Sequence, residues 1–397
     1  MNRLLERARR LEAEIVAFRR DLHAHPELSF EEKETARKVA SEIERLNVPY
    51  RTNVGGHGIV ADLKGERDGP IVALRADMDA LPIQEEADVP FASAKPGVMH
   101  ACGHDAHTAM LLGAIKLLKE QPFPGTVRFL FQSAEEINAG AKAMIEDGAL
   151  AGVSEIYGLH NLPTLSAGKL ATCHGPMMGS VDRIELHIQG RGAHGAIPNE
   201  GIDPVVCASA IVMSLQSIIS REVSPFDPVV VTIGSLHAGM ANNVIPDTAV
   251  LTGTVRTFGK KVQATMKERI ERIAGQIAEG YRCKASLRYI EQVPVLENHD
   301  EPMAFVDETI DRTIGKAGRI EAAPTLAGED FSVYLRHVPG CFFWLGSGPK
   351  EHAERAYGLH HPKYRLNEDC LPIGSAILAA IAAERLKHLQ TSEKDGR

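Results

Sequence analysis

The stretch Arg183-Ile-Glu-Leu-His-Ile-Gln189 alternates apolar and polar side chains. That is the period of a strand with one buried face. After it, Pro204–Ile219 reads as an apolar helix, and Val229–Ile233 and Val250–Val255 read as strands. Lys261–Ala278 has Met266, Ile270, Ile273 and Ile277 on one helical face, and Ala285–Ile290 alternates again. The order is β-α-β-β-α-β.

That order is the ferredoxin-like split unit. It makes a self-contained domain of roughly a hundred residues, a common size. The chain on either side follows a different rule. Leu4, Ala8, Leu11, Ile15, Phe18 and Leu22 recur at helical steps up to the interruption at Pro26. Ser29 and Glu32 have the spacing of a capping box ahead of a second helix with Val39, Ile43 and Leu46. The short apolar runs Ile71–Leu74, Val127–Phe131 and Ile156–Leu159 are separated by helical patterns at His107–Leu118 and Ala139–Ile145. Cys341–Leu345 continues the series as a strand. This is an α/β alternation around a mostly buried sheet. The expected layout is one discontinuous domain, 1–181 and 293–397, with a second domain, 182–292, inserted into it.

Composition bounds the function. The 397 residues are 44% hydrophobic and 24% charged, as in a soluble globular protein. Lys and Arg number 44 against 52 Asp and Glu, a net charge of −8. This argues against a nucleic-acid binder, which needs a cationic face, and against an anionic membrane surface. The six cysteines, at 102, 173, 207, 283, 341 and 370, lie far apart. They read as free thiols of a reducing compartment. The charged N-terminus has no signal-peptide core. The longest apolar stretch read from the sequence, Ala376–Ala383, is too short to span a bilayer. Cytoplasm is the expected compartment. The residues after Gln390 read as a polar, frayed end.

The chemistry gathers where strands are expected to end. His100-Ala-Cys-Gly-His104-Asp-Ala-His107 precedes a helix, Glu135-Glu136 follows the strand Val127–Phe131, and His160 follows the strand Glu155–Leu159. In open α/β sheets ligands bind beyond the carboxyl ends of the strands. These segments can therefore share one crevice. Thiolate, imidazole and carboxylate together suit Zn²⁺, and other first-row metals too. Taken singly each signal is weak: a Glu-Glu pair is ordinarily a solvated face and a lone His a structural one. Here the pair ends an apolar strand. Adjacent residues on an extended segment point in different directions, so one carboxylate can bind metal while the other faces a water. That second carboxylate could take the water's proton and pass it to a leaving nitrogen.

Competing motifs fall away. Gly190-Arg-Gly192-Ala-His-Gly195 fits G-x-G-x-x-G, but Pro198 and Asn199-Glu-Gly201 follow it, so a loop is expected where a dinucleotide site needs a helix. That loop presents His194 on an exposed turn. The serine-hydrolase elbow, H-E-x-x-H and Walker A are all absent.

Several segments together resemble the aminoacylase-type metallohydrolases. They are Leu22-His-Ala-His-Pro-Glu-Leu-Ser29, Arg75-Ala-Asp-Met-Asp-Ala-Leu-Pro82, Met99–His107, Gln132-Ser-Ala-Glu-Glu136 and Gly158-Leu-His-Asn161. Further matches are Gly192-Ala-His194, Asn242-Asn-Val-Ile-Pro246, Gly328-Glu-Asp-Phe331 and Leu359-His-His-Pro362. The nearest branch holds hippurate hydrolases, indoleacetyl-amino-acid hydrolases and N-acyl-amino-acid amidohydrolases. The resemblance runs from about residue 15 to residue 385. It implies an α/β zinc-peptidase-like catalytic domain with a mixed sheet and an inserted ferredoxin-like lid that also forms a dimer interface.

The same resemblance implies two divalent metal ions per subunit. Zinc comes first, with manganese, cobalt and nickel also suiting the donor set. Cys102, His104, Glu136, His160 and His360 would be ligands, Cys102 as a candidate bridge; His361, beside His360, fills the motif's variable position. Glu135 would be the general base and Asp79 the acid that orients a ligand. Asp77 stands where related peptidases carry a histidine ligand. From the lid, His194 would stabilise the oxyanion, and Asn243 and Arg256 would hold a substrate carboxylate. His23, His25 and His107 receive no role.

The function so implied is metal-dependent hydrolysis of an N-acyl amino acid by a cytoplasmic homodimer or dimer-based oligomer. Its partner is a small molecule, with no nucleic acid or membrane involved. The alternatives are a dipeptidase or carboxypeptidase, an N-acetyl-diaminopimelate deacetylase, and an inactive metal-binding scaffold.

Overall fold

The computed structural model describes residues 3–395. The chain forms two compact units. The first runs to Gly175 and resumes at Glu297–Ala323 and from Asp330 onward; the second is Pro176–Leu296 with Pro324–Glu329.

The first unit is built on an eight-stranded mixed sheet. In spatial order its strands are Tyr50–Val54, Gly58–Lys64, Thr126–Gln132, Ile71–Asp77, Val153–Ser166, Gly340–Gly348, Leu170–Thr172 and Arg319–Glu321. The four from Thr126–Gln132 to Gly340–Gly348 run parallel. They read as near-continuous apolar runs because both faces are covered. The helix His104–Lys119 is buried along nearly its whole length, and the Ala376–Ala383 stretch is a buried part of the helix Leu371–Asp395. Helices apolar all round belong in a core. After Gln390, where a frayed end was expected, the backbone continues this helix to Asp395.

A buried ion pair ties that helix to the sheet. Arg385 Nε and Nη2 each lie 2.6 Å from a Glu155 carboxylate oxygen, and the Tyr157 hydroxyl donates to the same carboxylate at 2.6 Å.

Several sequence expectations are corrected here. The N-terminal periodicity forms two helices, Arg3–Arg10 and Glu12–Ala24, broken at Leu11, where one was expected. His160 lies inside the strand Val153–Ser166 and not after it, because pairing with Gly340–Gly348 carries the strand onward. Glu135 and Glu136 sit in a turn and not on an extended segment. The capping box does not form: Glu32 precedes the helix Lys33–Arg45 and makes no side-chain cap bond.

The second unit has a four-stranded antiparallel sheet in the order Val229–Ala238, Thr248–Thr257, Val181–Gln189, Lys284–Val293. Its helices are Pro204–Ser217 and Lys260–Gly280. This is the split unit expected from the period changes. Asp203 starts the first helix by accepting the Val205 and Val206 amides, with Pro204 in the first turn. By length and composition Pro204–Glu222 passes as apolar enough to span a membrane, although serines and Gln216 interrupt it. Its Cys207, Ala208, Ile211 and Leu215 pack into the core of this unit. His194 is exposed, as expected, but lies on the two-residue strand Ala193–His194, paired with Val244–Ile245, and not on a turn.

Candidate metal centre

The site of the first unit grows from three local devices. The first is the turn ahead of the helix His104–Lys119. Gly103 has φ +92°, and a Cβ there would lie 2.2 Å from Asn161 Nδ2 and 2.7 Å from the Tyr364 hydroxyl. Only glycine fits this close, left-handed turn. Asn161 locks it: its Nδ2 donates to the Cys102 carbonyl at 2.6 Å, and its Oδ1 accepts from Tyr364 at 2.6 Å and Ser347 at 2.9 Å.

The second device is the turn after the strand Thr126–Gln132. Ala134 is left-handed, with φ +56°. It swings Glu135 and Glu136 off the strand end. The Glu136 amide donates to Asp79 Oδ2 at 3.0 Å. The Asp330 amide donates to Glu135 Oε1 at 3.3 Å. The third device is the strand Val153–Ser166, which carries His160 opposite Trp344 on the neighbouring strand.

These devices bring five predicted ligands together. Donor atoms of Cys102, His104 and His160 lie within 4.8 Å of one another, as do those of Cys102, Glu136 and His360. Cys102 Sγ is 3.3 Å from His160 Nε2, and His360 Nε2 is 3.4 Å from Glu136 Oε2. His104 Nε2 and Glu136 Oε1, 3.8 Å apart, are both buried without a hydrogen-bond partner. Buried polar atoms are seldom left so. Two overlapping triads, one of a thiol and two imidazoles and one of the same thiol with a carboxylate and an imidazole, with orphaned polar atoms between them, fit a pair of divalent cations.

The surroundings prepare the donors. His104 Nδ1 faces the Asp79 carbonyl at 2.9 Å and Oδ1 at 3.2 Å, which turns its Nε2 inward. His160 Nδ1 donates to the Asn161 carbonyl at 2.7 Å, with the same result. Backing a ligand imidazole in this way fixes its tautomer. Burial, then the nearby His107, holds the His160 pKa well below the ordinary histidine value, so the ring is neutral. Burial, then the Glu136 carboxylate, pushes the Cys102 thiol well up. Burial works against the charge on Asp79, but the His104 hydrogen bond keeps it below the usual carboxylate range.

His360 reaches the cluster and His361 does not. His361 stacks on Tyr357 at 4.3 Å, and its Nδ1 accepts the Lys363 amide at 3.0 Å. His107 meets Asp77 Oδ1 at 2.6 Å through Nδ1 and accepts the Asn161 amide at 3.0 Å through Nε2. Both nitrogens are occupied, so it is no ligand in this arrangement. Buried His23 contacts Asp105 and Glu85, and exposed His25 faces Asp21 and Lys38.

Glu135 is 7% exposed. Behind it, Asp330 accepts from Arg75 Nη2 at 2.8 Å, Gln132 Nε2 at 2.8 Å and the Ala141 amide at 2.9 Å. Sequence reasoning gave Asp330, Arg75, Gln132 and Asn161 no role, although each lies in a quoted motif. Their partners are distant in sequence, so no local pattern announced them.

The remaining predicted residues belong to the second unit. His194 and Asn243 are brought together there: the Gly195 amide donates to the Asn243 carbonyl at 2.7 Å, and Val244 pairs with His194. The Ala196 amide donates to His194 Nδ1 at 3.1 Å, which leaves Nε2 for another partner. Arg256 is half-buried on the strand Thr248–Thr257, and burial lowers its pKa against the pull of Asp182. Gly328 abuts this arginine: a Cβ there would lie 3.0 Å from Arg256 Nη1.

Residues 73–384 match the family model described as peptidase family M20/M25/M40. The chain is 43% identical over 383 residues to N-acetylcysteine deacetylase of Bacillus subtilis, covering 94% of this chain and 98% of that one. It is 40% identical to IAA-amino acid hydrolase ILR1-like 4 of Arabidopsis thaliana, over 95% of this chain and 87% of the relative. Among solved structures, the Bacillus subtilis YXEP protein, a dinuclear metal binding peptidase, is 39% identical with a TM-score of 0.84, covering 96% of this chain and 99% of that one.

Proposed function

Because the chain belongs to peptidase family M20/M25/M40, we propose that it is a metal-dependent amidohydrolase. It cleaves the amide bond of an N-acyl amino acid to a carboxylic acid and a free amino acid. The observation that carries this reading is the buried Glu135 carboxylate beside a cluster of donors with orphaned buried polar atoms.

Cys102, His104, Glu136, His160 and His360 would hold two cations, Cys102 serving both. Zinc is the first choice for a thiolate–imidazole–carboxylate set, ahead of manganese, cobalt and nickel. The pair would supply Lewis-acid chemistry, acidifying water and polarising the scissile carbonyl. Glu135 accepts the proton of the attacking water on its carboxylate and hands it to the amine nitrogen as the C–N bond breaks. The Asp330 amide keeps that carboxylate oriented. Asp79 keeps His104 in the tautomer that turns Nε2 to the cluster.

The inserted unit acts as lid and dimerisation domain. His194 offers its Nε2–H to the developing oxyanion. Asn243 and Arg256 bind the substrate carboxylate, for which a desolvated guanidinium is suited. The six buried free thiols support a reducing compartment, and the cytoplasm is the proposed location.

The test is a panel of N-acetyl, N-benzoyl and dipeptide substrates with metal-reconstituted protein and the Glu135→Gln variant. N-acyl amino acids should be hydrolysed. The variant should lose about 10²–10⁴ in kcat while keeping its metal. Near-native turnover by the variant would remove Glu135 as the base. Preference for dipeptides over every N-acyl amino acid would replace the proposed substrate class.

A further inference from the structure

Ser29 and Glu32 have capping-box spacing and do not cap the helix that follows. Another residue does that work. The Glu27 carboxylate accepts the Glu34 amide at 3.2 Å and the Thr35 amide at 2.8 Å. This leaves both side chains for other partners, and both turn to the Glu135–Glu136 turn. Glu32 Oε1 accepts the Ala134 amide at 2.8 Å. Ser29 Oγ donates at 2.7 Å to Asp79 Oδ2, the oxygen that also accepts the Glu136 amide.

The cost of this arrangement points the same way. Glu32 is 0% exposed, and its Oε2 is buried without a hydrogen-bond partner. Burial pushes its carboxyl up to about 7. An acid held so is unfavourable unless the rest of the fold enforces it. Ala134, its partner, sits at φ +56°, a conformation uncommon for a side-chain-bearing residue. Strained backbone of this kind persists where its surroundings over-determine it. The hydrogen bond from Ala134 to Glu32 is one such determinant, and it lies one residue before Glu135.

We propose that Glu32, helped by Ser29, is a positioning residue that holds Ala134 left-handed and so aims Glu135 at the water and Glu136 at the cluster. The proposal rests on the roles given to those two carboxylates above. Neither Ser29 nor Glu32 touches substrate in this scheme; both act through the turn.

Glu32→Ala, Glu32→Gln and Ser29→Ala test it in the metal-reconstituted full chain, with kcat, KM and zinc affinity by chelator competition as readouts. Glu32→Ala should lose about ten- to a hundredfold in kcat and in zinc affinity, with KM nearly unchanged. Glu32→Gln, which keeps an acceptor for the Ala134 amide, should recover most of both. Wild-type kcat and zinc affinity in Glu32→Ala would overturn the proposal, as would a glutamine variant as impaired as the alanine one. Should Glu32→Ala fail to fold, Ser29→Ala decides: a several-fold fall in kcat supports the brace and an unchanged kcat rejects it. The zinc arm separates the two readings. A wild-type protein inactive on every amide, whose zinc affinity still falls in Glu32→Ala and returns in Glu32→Gln, would sink the proposed reaction and leave the brace standing.

Discussion

Cys102 is the residue on which the site turns, because its sulfur belongs to both donor triads. Cys102→Ser should lower metal content on elemental analysis; unchanged content would take the thiol out of the site. The histidine pair gives a sharper contrast. His360→Ala should weaken zinc by at least about tenfold, whereas His361→Ala, whose ring stacks on Tyr357, should leave it unchanged. Equal losses would contradict the geometry. Much at this scale was legible in the sequence. The ligand types stood in recognisable segments: Glu136 and His160 near apolar runs read as strands, Cys102 and His104 ahead of a helical pattern, and His360 in the Leu359–Pro362 motif. Of the supporting residues only Asp79 was named from the sequence. Asp330 meets Gln132, Asn161 meets Tyr364 and Glu32 meets Ala134 across separations that no local pattern encodes. In the case of Glu32 the local pattern misled, since the same residue types at the same spacing describe a helix cap.

Elements position these residues, and their stability can be tested apart from the chemistry. The helix Leu371–Asp395 is pinned to the strand Val153–Ser166 by the Arg385–Glu155 pair, and Arg385 also meets Glu301 at 2.7 Å. Removing one partner of a buried pair strands the other's charge. Arg385→Ala should therefore destabilise the first unit by about 3–5 kcal/mol, read as a lower urea midpoint. A change under about 1 kcal/mol would show that the pair is solvated or dispensable. Periodicity revealed the four strands of the small sheet and the four parallel strands of the large one, because a buried strand and a helical face leave different repeats; it gave no sign of Tyr50–Val54, Gly58–Lys64, Leu170–Thr172 and Arg319–Glu321, which are outer or short strands. It missed the break at Leu11 and the continuation of Val153–Ser166 past His160. The first depends on packing of short helices and the second on the neighbouring strand Gly340–Gly348, neither of which the local repeat records.

For the whole molecule the open matters are assembly and metal. The strand Val229–Ala238 lies at an edge of the four-stranded sheet. In the same unit Met213 is 74% exposed and Val206 50%. An unpaired edge and exposed apolar side chains within one unit support a self-associating surface. Met213→Glu should shift light-scattering mass from dimer to monomer; a wild-type monomer would reject the dimer outright. Exhaustive chelation should abolish hydrolysis, and zinc, manganese or cobalt should restore it. Activity that survives chelation would contradict the two-cation scheme. The most direct test of the whole account is anomalous diffraction from crystals of the zinc-loaded protein. Two zinc peaks should appear within the cluster of Cys102, His104, Glu136, His160 and His360. No peak at Cys102, or a single ion bound elsewhere, would contradict it.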